Sequence, residues 1–149
     1  MKKFVFTLQT VLEYKLTIEK TQKAALAAAE ALLRGLYAED KIIDETFLRN
    51  SDAREAELLD KTADVQTLAA YDAFFRKLGD EKKELAVRIE QAEVSKLRCQ
   101  EVLIVTMKEL KAYNKLRDKQ YQEYLKDVAA EDEKELGDII SFNTATGAV

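Results

Sequence analysis

The sequence predicts an all-α fold: a long two-helix antiparallel coiled-coil hairpin that forms a monomeric rod. Three observations lead to this prediction. The 149 residues include no proline and only four glycines, so the turn-forming clusters that separate strands are nearly absent. Charged residues make up 35% of the chain, a composition typical of long helices. From residue 65 to residue 136, apolar residues recur at alternating intervals of three and four, the period of a helix that packs along one face.

Two series of residues, each with a spacing of seven positions, form the predicted seam of the second helix. The first series is Tyr71, Leu78, Leu85, Ala92, Cys99, Thr106 and Tyr113. The second is Phe75, Lys82, Ile89, Lys96, Leu103 and Leu110. Lys82 and Lys96 stand where apolar residues are expected. Either their aliphatic stems lie along the seam while the ammonium groups reach solvent, or the two lysines fix the register of the helices.

The chain divides into one coiled-coil domain (residues 1–149) with four parts. These are a first arm at about 5–60, a turn at about 61–64, a second arm at about 65–136 and a flexible acidic and polar tail at 137–149. Asp64 or Thr62 can cap the second arm, and Gly137 is suited to stop it. With this turn, residue i faces roughly residue 125 − i. At ~1.5 Å per residue, the rod is on the order of 80 Å long.

Charge is unevenly distributed along the predicted hairpin. Residues 1–23 hold five basic and two acidic residues, and residues 108–126 hold six basic and three acidic ones, so each segment has a net charge of +3. These segments lie side by side at the open end. Residues 39–64 and 127–149 each have a net charge of −5, from nine acidic against four basic residues and from six against one. This asymmetry predicts two different partners.

No catalytic or metal-binding constellation emerges from the sequence. There is no histidine, so the commonest general base and metal ligand is missing. Cys99 lies on the seam and fits a small buried residue better than a reactive thiol. The acidic residues at 131–135 point in different directions around a helix and fit a solvated face. We expect a protein that is not an enzyme, with no catalytic residue, cofactor or metal.

The same composition bears on the cellular compartment, on a membrane span and on a nucleic-acid partner. A single cysteine gives no sign of an oxidising compartment, and polar residues interrupt the apolar stretch at the N-terminus. The later apolar run from Val102 to Val105 is far too short to span a bilayer. The small net charge of −4 argues against a nucleic-acid partner. We expect a cytoplasmic protein with no membrane span.

An aromatic cluster follows the predicted turn. Tyr71, Phe75 and Leu78 share the core face of the second arm, whereas Phe74 is displaced from Phe75 by about 100° around the helix. Phe74 therefore either contributes to a protein-contact surface or widens the apolar face near the turn.

Three short motifs, in order along the chain, resemble the FliJ family, soluble components of the bacterial flagellar type III export apparatus. Residues 6–15 read FTLQTVLEYK, similar to the family's Phe-x-Leu-x-x-Val-Leu-x-x-Lys/Arg opening. Residues 70–78 read AYDAFFRKL, similar to its Tyr-x-x-Tyr/Phe-hydrophobic-x-x-Leu segment. Residues 134–139 read KELGDI and resemble its Lys-x-Leu-Asp-Glu-Ile ending, with Gly137 and Asp138 departing from the acidic pair.

The resemblance implies a function and a set of partners. FliJ-like proteins are antiparallel coiled coils, similar to the central stalk of rotary ATPases. They bind and promote a hexameric export ATPase (FliI-like), couple it to an export gate protein (FlhA-like) and assist the handling of export chaperones. The protein is then cytoplasmic and peripherally associated with the membrane export apparatus. We expect the basic open end to enter the ATPase ring through Lys15, Lys20, Lys23, Lys111 and Lys115. The gate is then expected to meet Tyr71, Phe74 and Leu78.

The composition and the helical pattern also fit other assignments. The chain could be the counterpart stalk protein of a virulence type III secretion system. It could also be a generic cytoplasmic coiled-coil scaffold that dimerises through the seam. A third alternative is a membrane-surface protein anchored by residues 1–23, against which the neighbouring acidic tail argues.

Overall fold

The computed structural model describes residues 2–147 and contains two long helices. Helix α1 spans Gln9–Leu59 and helix α2 spans Val65–Thr146, and no strand occurs in the described residues. The two helices pack against each other as a helical hairpin. The predicted all-α hairpin is therefore confirmed.

The contacts divide the hairpin into two compact units, each with its own core. The first unit comprises Met1–Thr21 with Ile104–Val149, and the second comprises Gln22–Leu103. The core of the first unit is built from Phe6, Leu12 and Leu110, with Phe4, Leu8 and Tyr113 packed against them. The core of the second unit is built from Leu33, Leu36, Leu85 and Ala92, with Ile43 and Ile89 packed against them.

Most of the predicted seam of α2 faces α1. Leu78, Leu85, Ala92, Leu103, Thr106 and Leu110 are buried, and the other members are half-buried except for Lys82. Lys82 is exposed and forms ion pairs across the helices with Asp44 and, at 3.8 Å, with Asp40. Its ammonium group thus lies at the edge of the seam, as the first explanation for this lysine predicted. The hydrogen bond to Asp44 and the charge of Asp40 raise the pKa of Lys82.

Cross-helix pairs follow the predicted register in both units. In the first unit, Lys15 pairs with Glu109, where residue 110 was expected. In the second, Arg54 pairs with Asp72 at 3.4 Å, where residue 71 was expected. The turn position, read from sequence, therefore fixes which residues of the two helices meet within each unit.

Helix α1 begins later than the sequence predicted. Residues 2–8 are not helical, and the first turn-like hydrogen bond runs from the Gln9 N–H to the Phe6 carbonyl at 3.1 Å. We call residues 2–8 the non-helical lead. It places two aromatic side chains against α2. Phe6 is buried, and the ring of Phe4 makes an edge contact with Tyr121, with centroids 5.1 Å apart. Packing of these rings explains why the predicted start near residue 5 is wrong.

The turn at residues 61–64 closes α1 with a Schellman arrangement. The Thr62 N–H donates to the Glu57 carbonyl at 3.2 Å, and the Lys61 N–H donates to the Leu58 carbonyl at 3.3 Å. Lys61 takes the left-handed conformation with φ of 55°, where glycine is more common. These bonds satisfy carbonyl groups that the end of a helix leaves unpaired.

Of the two residues predicted as possible caps, Asp64 and Thr62, it is Asp64 that caps the start of α2. Its carboxylate accepts a hydrogen bond from the Thr67 N–H at 2.7 Å. Hydrogen bonds from the side chain and backbone of Thr67 lower the pKa of Asp64 from its ordinary value of 3.8. Because the pKa of Asp64 is lower in the folded chain than in the unfolded chain, the cap makes its full contribution to stability at pH values above the ordinary pKa. This contribution is lost as the pH falls through the lowered value.

We expect Asp64→Ala to lower the thermal midpoint by a few degrees at neutral pH, because α2 loses its cap. The difference between wild type and variant should shrink below about pH 4. Thermal unfolding followed by circular dichroism from pH 7 to acid tests this. Asp64→Asn, which keeps a neutral capping oxygen, is the matched control and should lose less. A difference between wild type and Asp64→Ala that did not change with pH would contradict the assignment.

Helix α2 continues beyond the predicted stop at Gly137. It runs to Thr146, so the predicted end near Leu136 is wrong, and residues 137–146 of the predicted flexible tail are helical. The left-handed glycine is instead Gly147, with φ of 65°. A glycine in a helix interior costs about 1 kcal/mol, which strong helix formers before it and the absence of proline after it can offset. The last two residues of the predicted tail lie outside the described residues.

Candidate functional site

Four of the five candidate ATPase-binding lysines lie in the first unit. Lys20, Lys111 and Lys115 are exposed. Lys15 is half-buried, and its ammonium group donates to the Glu109 carboxylate at 2.6 Å. That hydrogen bond raises the pKa of Lys15. Lys15 is thus part of a cross-helix ion pair, and the exposed positive charge of this surface comes from the other three lysines.

The fifth candidate, Lys23, belongs to the second unit. Its side chain is exposed, and it lies one turn after Lys20 in the continuous helix α1. The first unit by itself therefore exposes three of these lysines, Lys20, Lys111 and Lys115, which together we call the lysine surface.

The aromatic candidates near the turn border a cavity of the second unit. This cavity has a volume of about 280 Å³ and is lined by Asn50, Thr67, Ala70, Tyr71 and Phe74. The hydroxyl group of Tyr71 donates to the Glu57 carboxylate at 3.1 Å, and this hydrogen bond raises the pKa of Tyr71. Tyr71 is thereby held at the rim, where its ring and that of Phe74 give the cavity an apolar wall. We call this feature the aromatic cavity.

The three candidate gate-binding residues differ in accessibility. Phe74 and Tyr71 are half-buried, whereas Leu78 is only 7% exposed and belongs to the core. The ring centroids of Phe74 and Phe75 are 6.3 Å apart, and those of Phe75 and Phe47 on α1 are 5.0 Å apart. Phe74 therefore extends the core aromatic cluster toward the surface, whereas Leu78 is buried.

Side chains with possible reactive chemistry are few. Cys99 is a free, half-buried cysteine beside a cavity of about 180 Å³ that is lined by Gln22, Ala25, Arg98 and Val102. Among the described residues, no group of three acidic or cysteine side chains comes together in a way that could hold a metal ion. The acidic residues at 131–135 are all exposed on α2, which fits the predicted solvated face.

Sequence reasoning missed a second cavity, in the first unit. It has a volume of about 460 Å³ and is lined by Phe4, Val5, Phe6, Gln9, Arg117, Asp118 and Tyr121. The hydroxyl group of Tyr124 donates to the Lys2 carbonyl at 2.6 Å, which holds the non-helical lead against α2. The sequence did contain a signal for this cavity: aromatic residues occur at positions 4 and 6 and again at positions 121 and 124. Because residue 4 was expected to face residue 121, the register already brought them together.

Comparison of this chain with protein-family models, with curated proteins and with solved structures finds no match. Within residues 2–147, neither helix is both long enough and apolar enough to cross a membrane.

Proposed function

We propose that this chain is a non-enzymatic component of the bacterial flagellar type III export apparatus. It acts as a stalk-like coiled coil that binds and promotes a hexameric FliI-like export ATPase, couples that ATPase to a FlhA-like gate protein and assists the handling of export chaperones. It works in the cytoplasm, in peripheral association with the membrane export apparatus. The order and spacing of the three sequence motifs lead to this family of functions.

The observation that carries the proposal is the lysine surface of the first unit. Lys20, Lys111 and Lys115 are exposed in the first unit, and the segments that contain them, residues 1–23 and 108–126, each have a net charge of +3 in sequence. A pair of helices that exposes positive charge is suited to enter a pore with an acidic lining. Opposite charges steer such a contact and make its rate and strength depend on ionic strength.

The aromatic cavity supports a separate contact with the gate. Its rim combines the apolar surface of Phe74 and Tyr71 with the amide of Asn50. Aromatic side chains that are partly buried and held by neighbours lose little entropy on binding, and they are enriched among residues that dominate interface energies.

The direct test of the proposal is a pull-down of the purified chain on the immobilised cognate export ATPase. We expect specific retention that falls as salt is raised, because the contact is electrostatic. Binding to the soluble domain of the gate protein should be less sensitive to salt, since its surface is aromatic. Failure of the ATPase to retain the folded chain at low salt would contradict the proposal.

We expect Phe74→Ala to weaken binding to the soluble domain of the gate protein by about tenfold, because a partly buried aromatic anchor is removed. Helicity should be preserved, since Phe74 is only half-buried. Titration calorimetry and circular dichroism measure the two effects. Val87→Ala, at a residue 53% exposed in the same unit, is the control and should bind as wild type does. A loss of helicity in Phe74→Ala would assign the ring to the core instead.

A further inference from the structure

The cavity between the non-helical lead and α2 takes no part in the contacts proposed above. It lies within the first unit and has a volume of about 460 Å³, in the range of roughly 300–1,000 Å³ that is typical of ligand sites. Its walls combine aromatic rings with an amide, a guanidinium and a carboxylate group. We call it the lead cavity. Apolar walls with a few polar groups are the usual make-up of a binding site.

The aromatic walls of the lead cavity are held in place by the chain itself. The centroid of the Phe4 ring lies 5.1 Å from that of Tyr121 and 5.6 Å from that of Tyr124. The Tyr124 hydroxyl group also donates to the Lys2 carbonyl at 2.6 Å, and Phe6 is buried. A site with ordered walls loses less conformational entropy when a ligand binds. The lead cavity is therefore preformed.

The polar groups of the lead cavity have unused hydrogen-bonding capacity. Arg117 and Asp118 are exposed, and neither forms an ion pair or a hydrogen bond with another residue of the described part of the chain. Within that same part, the backbone groups of residues 3–5 are also unpaired. A free guanidinium group is suited to bind a carboxylate through two parallel hydrogen bonds. Unpaired backbone groups of a non-helical segment are available to an extended peptide.

The charge around the lead cavity favours an acidic ligand. Residues 1–23 and 108–126 supply its whole lining, and each segment has a net charge of +3. Close to the cavity, the cations are Lys2, Lys3 and Arg117. The anions are Asp118 and Glu13, which accepts a hydrogen bond from the Gln9 amide at 3.0 Å. Three cations against two anions leave an excess of +1, which attracts acidic segments.

We propose that the lead cavity binds an extended acidic segment of a partner protein, in which a carboxylate residue stands two positions from a large apolar residue. Side chains alternate along an extended peptide, so residues two positions apart point to the same side. The apolar side chain then packs against Phe4 and Tyr121, while the carboxylate binds Arg117. Backbone N–H groups of the peptide donate to Asp118. The proposal does not rest on the export function.

Fluorescence anisotropy of a labelled peptide, titrated with the full chain, tests this proposal. The probe is Gly-Asp-Ser-Phe-Ser-Asp-Gly, with a carboxylate on each side of the ring because either chain direction is allowed. Two matched peptides replace both aspartates by lysine or the phenylalanine by alanine. We expect each of them to bind at least about tenfold more weakly than the probe. Equal binding of the acidic and basic peptides, or no binding of the probe at millimolar chain, would overturn the proposal.

A charge reversal locates the carboxylate contact. Arg117→Glu should weaken binding of the acidic probe about tenfold and strengthen binding of the lysine peptide. Lys119→Glu is the matched control, since Lys119 is exposed and lies about 200° around α2 from Arg117. It makes the same change in net charge and should bind the probe nearly as wild type does. Equal weakening in the two variants would show that net charge, and not this site, attracts the peptide.

Two further measurements test the lead and the identity of the occupant. Val5 is 75% exposed, so Val5→Asp should leave circular dichroism unchanged while it repels the acidic probe. Binding as in wild type would exclude the lead from the site. Sedimentation of the full chain should give 17.0 kDa at every concentration. A dimer that Arg117→Glu dissociates would instead assign the lead cavity to a second copy and overturn the proposal.

Discussion

Leu36→Ala is expected to lower the free energy of unfolding by about 2–5 kcal/mol, the range for removing a buried leucine from a packed core. Leu36 is only 3% exposed and belongs to the core of the second unit with Leu33 and Leu85. Domains are typically stable by about 5–15 kcal/mol, so a loss of this size threatens the fold of a narrow two-helix core. Urea denaturation followed by far-ultraviolet circular dichroism measures it.

Leu32→Ala is the matched control for this prediction. It makes the same chemical change one turn away on the same helix, at a side chain that is 57% exposed. Because little apolar surface is withdrawn from water there, the expected change is within about 0.5 kcal/mol. Equal losses in the two variants would contradict the orientation of α1 toward α2.

The triple variant Lys20→Glu, Lys111→Glu and Lys115→Glu is expected to weaken binding to the export ATPase at least about tenfold at low salt. All three lysines are exposed in the first unit, so their reversal turns an attractive surface into a repulsive one without opening the core. Equilibrium binding at several salt concentrations measures the effect. The difference between wild type and variant should narrow as salt screens the contact.

A matched control distinguishes the lysine surface from net charge. Lys41, Lys77 and Lys83 are exposed in the second unit, and reversing all three to glutamate changes the net charge by the same amount. We expect this control variant to bind the ATPase much more tightly than the first triple variant. Equal weakening in both would mean that the chain's net charge, and not the lysine surface, determines the contact.

The hairpin could be predicted from sequence because two signals were independent and agreed. The alternating spacing of three and four identified the face that α2 buries, and Leu78, Leu85 and Leu110 on that face are all buried. The change of pattern near Asp64 identified the turn. Once the turn is fixed, antiparallel packing fixes the register, so the partners of Lys15 and Arg54 followed within one residue.

The C-terminal region could not be predicted from local signals alone. Gly137 resembles a helix stop, but a glycine costs only about 1 kcal/mol in a helix interior, and its neighbours decide the outcome. The exposure of Leu136, Ile139 and Ile140 was missed because these residues are out of phase with the seam. The signal that would have revealed it is the run of charged residues at the seam positions from Asp127 to Asp138.

The candidate contact residues were predicted by position, but their accessibility required side-chain packing. Leu78 shares a face with Tyr71, yet it is buried in the core while Tyr71 reaches the rim of a cavity. Lys15 carries the same positive charge as the other candidate lysines, but its ammonium group is paired with Glu109. Spacing along a helix assigns a face, whereas the depth of a side chain depends on what the facing helix places against it.

The most direct test of the proposed function is the rate of ATP hydrolysis by the cognate hexameric export ATPase, measured as this chain is added. We expect the rate to rise with wild-type protein and with Leu32→Ala, and to stay at the basal level with the Lys20, Lys111 and Lys115 triple variant. A rate that remains basal at saturating concentrations of folded wild-type chain would contradict the proposed function.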